Sequence, residues 1–379
     1  MFTKIDFTGG AVAAACRLLV AALIGTVTGG AVVCGSAAAV EPGLGAELSY
    51  EHLKLPKTQF TFVYDNSGAF GNVPFDLVSK DTNHNGSLDG ARLDLSWGTR
   101  TTLFGGVPIV AGIKGYYARH SSSQTSTCSS TSDARSCAHA PLFDPDPNAL
   151  QLAVYAPPVN PGDPPVNIVT RTHRDTTTWG LALEGQSVDA RVLAGTIATK
   201  AGLGYRRIDA GTSLNGSRVS GGLGTPVPFS LSEDNGTGYL GGYVGAVAKL
   251  PLGDGYVLAL DGEAGLYWAH TSYKGRYSQS DEPFLTSVDL AQTLTLGRDT
   301  AAVIAALKVG VDKDFGAFKA GVFARGEFYS YAPEMRYNNV DRYDLALPPT
   351  GGANDGTSIA RGVAWTASLG ARVTVPFGQ

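Results

Sequence analysis

The stretch Val363 to Phe377, V-A-W-T-A-S-L-G-A-R-V-T-V-P-F, constrains the fold more than any other part of this chain. Val363, Trp365, Ala367, Leu369, Ala371, Val373, Val375 and Phe377 share one parity; Ala364, Thr366, Ser368, Gly370, Arg372 and Thr374 share the other. A period of two sends the two sets to opposite faces of a β-strand. A span this long with one apolar face suits a bilayer, which roughly 9–11 tilted residues cross. The expected fold is all-β: a transmembrane antiparallel up-and-down barrel.

Alternation marks about ten segments: 44–55, 89–100, 108–120, 175–185, 190–208, 238–250, 255–272, 300–313, 317–331 and 359–377. Eight and twelve bracket that count; Gln59–Tyr64 is apolar enough to extend the first hairpin above the membrane, and Ala149–Tyr155 to cover the barrel mouth or form a short strand. After residue 40 no apolar run is long enough for a membrane helix, so a crossing has to use strands closed on themselves. Connections alternate in length. Thr101–Val107, Gln186–Asp189, Pro251–Asp254 and Asp314–Gly316 are short, the last three with Gly, Pro or Asp turn chemistry in or beside them. Segments 56–88, 121–174, 209–237, 273–299 and 332–358 are long. Short turns on one side and long loops on the other are the pattern of outer-membrane barrels. Aromatic residues gather near the proposed strand ends, among them Tyr50, Trp97, Tyr117, Trp179, Tyr205, Tyr256, Trp268, Phe328 and Trp365, as two interfacial girdles require.

Residues 1–39 read as a cleavable signal peptide, leaving 40–379 as a single barrel domain. Lys4 and Arg17 precede the apolar run Leu18–Val33, and Ala37-Ala38-Ala39 offers small residues to a peptidase. The competing readings are an uncleaved anchor and a lipid-modified Cys34, the latter opposed by the branched Val33 before it. Formal charge is −4 for the whole chain; without Lys4, Arg17 and Asp6 it is 27 basic against 32 acidic residues, or −5. That balance carries no nucleic-acid footprint.

Here the chain resembles the Gram-negative outer-membrane β-barrel superfamily, in particular small opacity-type and pore-forming surface barrels. The likeness rests on the signal peptide, the hairpins Gly238–Tyr273 and Thr300–Tyr331, and the ending V-T-V-P-F. It departs at the end, where Gly378 and Gln379 follow the aromatic Phe377 that the assembly machinery would recognise. The resemblance implies an outer-membrane location with extracellular loops, partners among outer-membrane lipids and the barrel assembly machinery, and no catalytic residue.

The inward parity carries charges of both signs: Asp94, Glu184, Asp261, Glu263 and Glu327 against Lys114, Arg206, Lys308, Lys319, Arg325 and Arg372, joined by Glu47, Glu51, Arg92 and Lys200. A ten-strand lumen is narrow, and an unpaired buried charge is costly, so these groups are expected to pair and plug it. The parity of 238–250 is open, since Tyr239, Tyr243 and Val247 alternate with Leu240, Val244 and Ala248.

Two cysteines remain in the exported part. Cys128 and Cys137 sit in a Ser/Thr-rich stretch of a chain bound for an oxidising compartment and are expected to form a disulfide, whose loop closure is worth roughly 2–3 kcal/mol. Zinc is the alternative, with only His139 nearby. The run Asp81, Asn83, Asn85, Ser87, Asp89 resembles a calcium loop with Gly86 at its turn, but Arg92 stands where the bidentate acid belongs. The alternative is an Asx-rich turn without an ion, and no other cofactor is expected. Omptin-type proteases place acids and a histidine at the barrel mouth; His120, His173 and His270 lie near outer strand ends, with Asp175 beside His173, and no omptin motif is recognisable. The chain is therefore read as a non-enzymatic surface protein whose loops contact an unidentified ligand. A narrow channel for small solutes is the alternative, ahead of an outer-membrane protease or a lipid-modifying enzyme.

Overall fold

The computed structural model describes residues 43–65, 75–102, 106–130, 135–139, 154–156, 164–188, 190–192, 194–220, 226–279, 290–337, 342–343 and 357–377. Residues 1–42, which include the expected signal peptide, the last two residues and most of the proline-rich stretch 140–163 lie outside them. Sixteen strands follow one another among the described residues: β1 (Gly43–Lys54), β2 (Thr61–Asp65), β3 (Phe75–Asp81), β4 (Ser87–Thr102), β5 (Pro108–Ser129), β6 (Arg135–His139), β7 (Val154–Ala156), β8 (Val166–Ser187), β9 (Ala190–Val192), β10 (Gly195–Ser220), β11 (Val227–Gly253), β12 (Tyr256–Gln279), β13 (Leu290–Asp314), β14 (Lys319–Arg336), β15 (Arg342–Tyr343) and β16 (Ser358–Pro376).

Eleven of them form one antiparallel sheet in the order β11-β12-β13-β14-β16-β1-β4-β5-β8-β10-β9, and β11 also pairs with β10. That last pairing closes the sheet into a ring, leaving the three-residue β9 folded back alongside the start of β10. The first and last strands of the ring, β1 and β16, pair from Gly43↔Pro376 to Lys54↔Trp365, with Gly43 and Pro376 at one end of the ring. The tight turns gather at that end of the ring. One runs through Gly253, Asp254 and Gly255, all at positive φ, the conformation for which glycine is best suited; another carries Gly316 at φ 81°. A second, five-stranded sheet, β15-β3-β2-β6-β7, sits at the opposite end.

Parity sorts the wall as the sequence pattern requires. On β16 every residue of the Val363–Phe377 apolar set is exposed, and the opposite set is buried or half-buried. Leu48, Leu240, Leu266 and Leu369 are among the most exposed residues of the belt, Leu266 at 71% and Leu369 at 67%. An apolar surface running round a closed wall has no place in water and matches the lipid face of a membrane barrel. Trp268 and Tyr256 bound it on β12, twelve positions apart, which at ~3.3 Å per residue and a ~40° tilt is a height of roughly 30 Å. β11 resolves its open parity here: Tyr239 and Tyr243 turn inward, and Leu240 and Val244 outward. The hydroxyls decide it, since Tyr239 donates to the Tyr331 carbonyl at 3.0 Å and Tyr243 to Glu184 at 2.9 Å, partners that a hydrocarbon face does not offer.

Several expected loops are strand. Much of 209–237 is the continuation of β10 and β11, paired up to Arg218↔Val227, and β5 and β8 run on to Ser129↔Asn167. The hydrophobic alternation stops at the bilayer edge, whereas the backbone ladder continues above it with polar residues on the outer face. Nor does the Gln59–Tyr64 segment extend the first hairpin; Thr61–Asp65 joins β3 and β6 in the second sheet.

Placing a charge in the belt tests this assignment. Leu369→Arg is expected to cost about 2–4 kcal/mol, the depth-dependent penalty of a cation near the bilayer midplane, measured by urea unfolding of the protein in lipid vesicles. Thr125→Arg, on the outer face above the belt, is expected to stay within about 0.5 kcal/mol of the parent.

Candidate functional site

Reading the interior from the short-turn end upward, successive layers follow from which residues each strand turns inward. The lowest is a cavity of about 500 Å³, lined among others by Glu47, Asp94, Lys308, Asp312, Lys319 and Arg372. Arg372 is held by two hydrogen bonds of 2.6 Å to Asp312, Lys308 is bonded to Glu47, and Lys319 lies 3.7 Å from Asp314.

Above it lies a lattice of charges centred on Glu327, whose side chain is fully buried. Glu327 faces Arg325, Arg92 at 3.4 Å and Arg206 at 3.5 Å, and accepts a hydrogen bond from Tyr329 at 2.9 Å. Arg92 forks onto Asp94 at 2.8 and 2.9 Å, reaches Glu51 at 3.1 Å and stacks over Tyr116 at 3.9 Å from the ring centroid. Arg325 also reaches Asp94 at 3.0 Å. On the other side Arg206 holds Glu263 at 2.8 Å, which shares Lys200 with Asp261, and Lys114 meets Glu184 at 2.7 Å. Asp94, Lys114, Glu184, Arg206, Asp261, Glu263, Arg325 and Glu327 belong to this lattice, and Lys308, Lys319 and Arg372 to the cavity below it. Glu51 completes it by also binding His120 at 3.0 Å. Inward glycines leave seats for the aromatic partners: a Cβ on Gly180 or Gly202 would stand 2.5 Å from the ring of Tyr116 or Tyr243.

The next layer is apolar. Leu53, Leu88, Ile208, Ile304, Tyr239 and Tyr331 pack in one buried cluster across the bore. Above that, the chain between β1 and β2 and the turn between β3 and β4 enter the mouth. Leu55 donates to the Gly86 carbonyl at 2.8 Å, and Arg174 of β8 holds the Pro56 carbonyl at 2.9 Å. Asn83 is fully buried there. Its Oδ1 accepts from the amides of Phe60 and Thr61 at 2.6 and 3.0 Å, and its Nδ2 donates to Thr61, to Ser126 of β5 and to Thr170 of β8.

The residues of the calcium-like run are spread across the wall rather than gathered. Asn83 is inside; Asn85 is exposed and accepts from the Ser87 amide at 2.8 Å; Ser87 accepts from Lys54 at 2.8 Å. Asp89 faces outward, bonded to Tyr50 at 2.6 Å and His52 at 2.8 Å, while Asp81 ends β3 opposite Thr61. Among the described residues no group of three or more His, Cys, Asp or Glu side chains is placed to hold a metal ion. The histidines near the strand ends diverge as well. His120 turns into the lumen, whereas His173 and His270 stand on the outer wall beside Asp175 and Asp299.

Cys128 and Cys137 are bonded, with their Cα atoms 6.0 Å apart. Cys128 belongs to the barrel wall and Cys137 to β6, so the bond ties the second sheet to the ring. Sequence reasoning missed Asp312, Tyr116 and Tyr329, each of which has the parity of an inward charge on its own strand, the signal by which it can be found. Tyr243 carried no such signal, because the parity of its strand was open.

No family model and no curated protein matches the chain. Among solved structures it is similar to the outer membrane protease OmpT of Escherichia coli, at 11% identity over 90% of this chain and 99% of that one, with a TM-score of 0.40. The translocator domain of the autotransporter NalP from Neisseria meningitidis (11%, covering 97% and 98%, TM-score 0.29) and the Pseudomonas putida toluene transporter TodX (9%, 88% and 90%, 0.24) are similar more loosely. Overlaps of this size transfer no activity to the chain.

Two outcomes follow for the mouth. Reducing the disulfide, or making Cys137→Ser, removes a constraint worth about 2–3 kcal/mol and is expected to speed tryptic cleavage at Lys80 and Arg135 while the ring stays intact in gel mobility. Burial, reinforced by the positive charges of Arg174 and Lys54 and opposed by the Ser122 backbone, lowers the His84 pKa to about 4. The folded mouth therefore holds His84 neutral. Its contribution is complete above the unfolded value near 6.5 and is lost as pH falls from there to about 4, on the order of 3 kcal/mol in all. Hydrogen exchange of 55–61 and 82–86 is expected to accelerate over that window, and His84→Gln to flatten the dependence.

Proposed function

We propose that this chain is an outer-membrane β-barrel whose lumen is closed to solutes and whose extended strands and second sheet engage a ligand outside the cell. One observation carries the reading: the bore is crossed by a paired-charge lattice, by an apolar layer and by the mouth segment around Asn83, which stand one above another in the path of a hydrated ion. The long extensions point the same way. β12 runs eleven positions past Trp268 to Gln279, so the wall stands well above the aromatic girdle and carries a disulfide-tied sheet.

The outer belt supports an outer-membrane setting, with the lipids and the assembly machinery as partners and the extensions on the extracellular side. A narrow channel is the second reading, favoured by the 500 Å³ cavity that reaches the short-turn end. On that reading the obstruction is confined to the upper half of the bore, and movement of the mouth opens it.

Planar-bilayer recording separates the two. The unmodified protein is expected to give no stable conductance steps. Glu327→Gln leaves Arg92, Arg206 and Arg325 short of their shared countercharge, a loss of roughly 3–5 kcal/mol, and is expected to produce flickering openings and a lower unfolding midpoint. Stable conductance steps in the unmodified protein, however small, would establish the channel reading instead.

A further inference from the structure

Three side chains on the outer wall above the girdle stand in a hydrogen-bonded row. Ser123 on β5 and His173 on β8 are direct cross-strand partners, with Ser123 Oγ 2.8 Å from His173 Nδ1. His173 Nε2 is 2.9 Å from Asp175 Oδ2, two positions along the same strand and hence on the same face. In the tautomer this arrangement favours, Nε2–H donates to the carboxylate and Nδ1 accepts the hydroxyl proton. A hydroxyl, a ring base and a carboxylate that orients the base are the parts of an activated nucleophile. The other outward His–acid pairs lack one of them: among the described hydrogen bonds, neither His52 nor His270 has a serine or threonine hydroxyl on its ring.

The surroundings suit a substrate. A cavity of about 480 Å³ begins at Asp175, the one residue of the three that lines it, and runs on past Tyr117, Arg119, Arg207, Asp209, Asp234 and Lys274. Its mixed charges suit a polar molecule rather than a long acyl chain. Arg171 projects from the same face as His173, two positions before it, and is exposed. Paired with Thr125, two positions from Ser123, it is the nearest cation in register for an oxyanion forming at Ser123, a role the ladder amides cannot fill because they are already paired.

We propose that Ser123, His173 and Asp175 form an esterolytic site for short-acyl esters of polar alcohols at the cell surface. Ser123 Oγ attacks the acyl carbonyl carbon and its proton passes to His173 Nδ1. The bond between that carbon and the alcohol oxygen breaks, the alcohol leaves with the proton, and the acyl group remains on Ser123. Water then attacks the acyl-enzyme and gives a proton to His173, which returns it to Ser123 Oγ as the acid departs. The site is separate from the lumen, so this reading and the closed-bore reading stand or fall independently.

The test uses the full-length protein in detergent micelles, with folding of every variant checked by heat-modifiable gel mobility. A fluorophosphonate probe is expected to leave an adduct on Ser123, located by mass spectrometry. Protein-dependent hydrolysis of p-nitrophenyl acetate is expected to fall by about 100-fold or more in Ser123→Ala and in His173→Ala, less in Asp175→Asn, with p-nitrophenyl palmitate left untouched. A folded protein with no adduct at Ser123, or a Ser123→Ala variant as active as the parent, overturns the site. Turnover of the palmitate ester in preference to the acetate overturns the substrate class.

Discussion

In a bilayer a backbone amide without a partner has no water to turn to, so a sheet that enters lipid has to lose both of its edges. In this chain the first and last strands of the ring meet that demand, β1 and β16 pairing along twelve positions from Gly43 to Lys54. Much else depends on that closure. A closed wall has an inside and an outside, and strict alternation along each strand then decides which residue meets lipid and which meets the bore.

Closure also creates the problem that the interior solves. Ten long strands enclose a bore too narrow for a wide water channel, yet their inward parity carries more than a dozen charges. Each is tolerable only with a partner, and the lattice centred on Glu327 provides partners by sharing: one carboxylate serves three guanidinium groups, and one guanidinium, Arg92, serves Glu51, Asp94 and Glu327. Tyrosines fill the remaining volume with rings and hand their hydroxyls to the acids. The result resembles a protein core made of ion pairs, and it stiffens the ring from within.

Above the bilayer the physical demands change, and so does the construction. The outer face no longer needs to be apolar, so the ladder continues with serines, threonines and charged residues outside, while Ile168, Leu214, Phe229 and Leu231 stay buried inside. The bore widens its chemistry in the same way: Asn83 uses both ends of its amide to stitch the mouth segment to β5 and β8, and one disulfide holds the second sheet over the ring. Strands with a polar outer face place hydrogen-bonding side chains in rows on the open wall, which is how Ser123, His173 and Asp175 come to stand together.

The sequence alone determined the barrel. Alternation on β16, the alternating connection lengths and the inward charges were all legible, because a lipid face, a tight turn and a buried charge each impose a residue type at a definite position. Cys128 and Cys137 were legible because so few partners were available to them. The heights of the strands were not, since a polar strand above the membrane has the composition of a loop and only its neighbour's backbone shows that it is paired. Nor was the parity of β11, where tyrosine and leucine are equally apolar on paper and only the position of Glu184 and the Tyr331 carbonyl decided which faced inward. The partners within the lattice, the fate of the Asp81–Asp89 run and the meeting of Ser123 with His173 were decided by tertiary structure alone. These depend on the register between strands distant in sequence, which is set by closure of the whole ring and not by any local pattern.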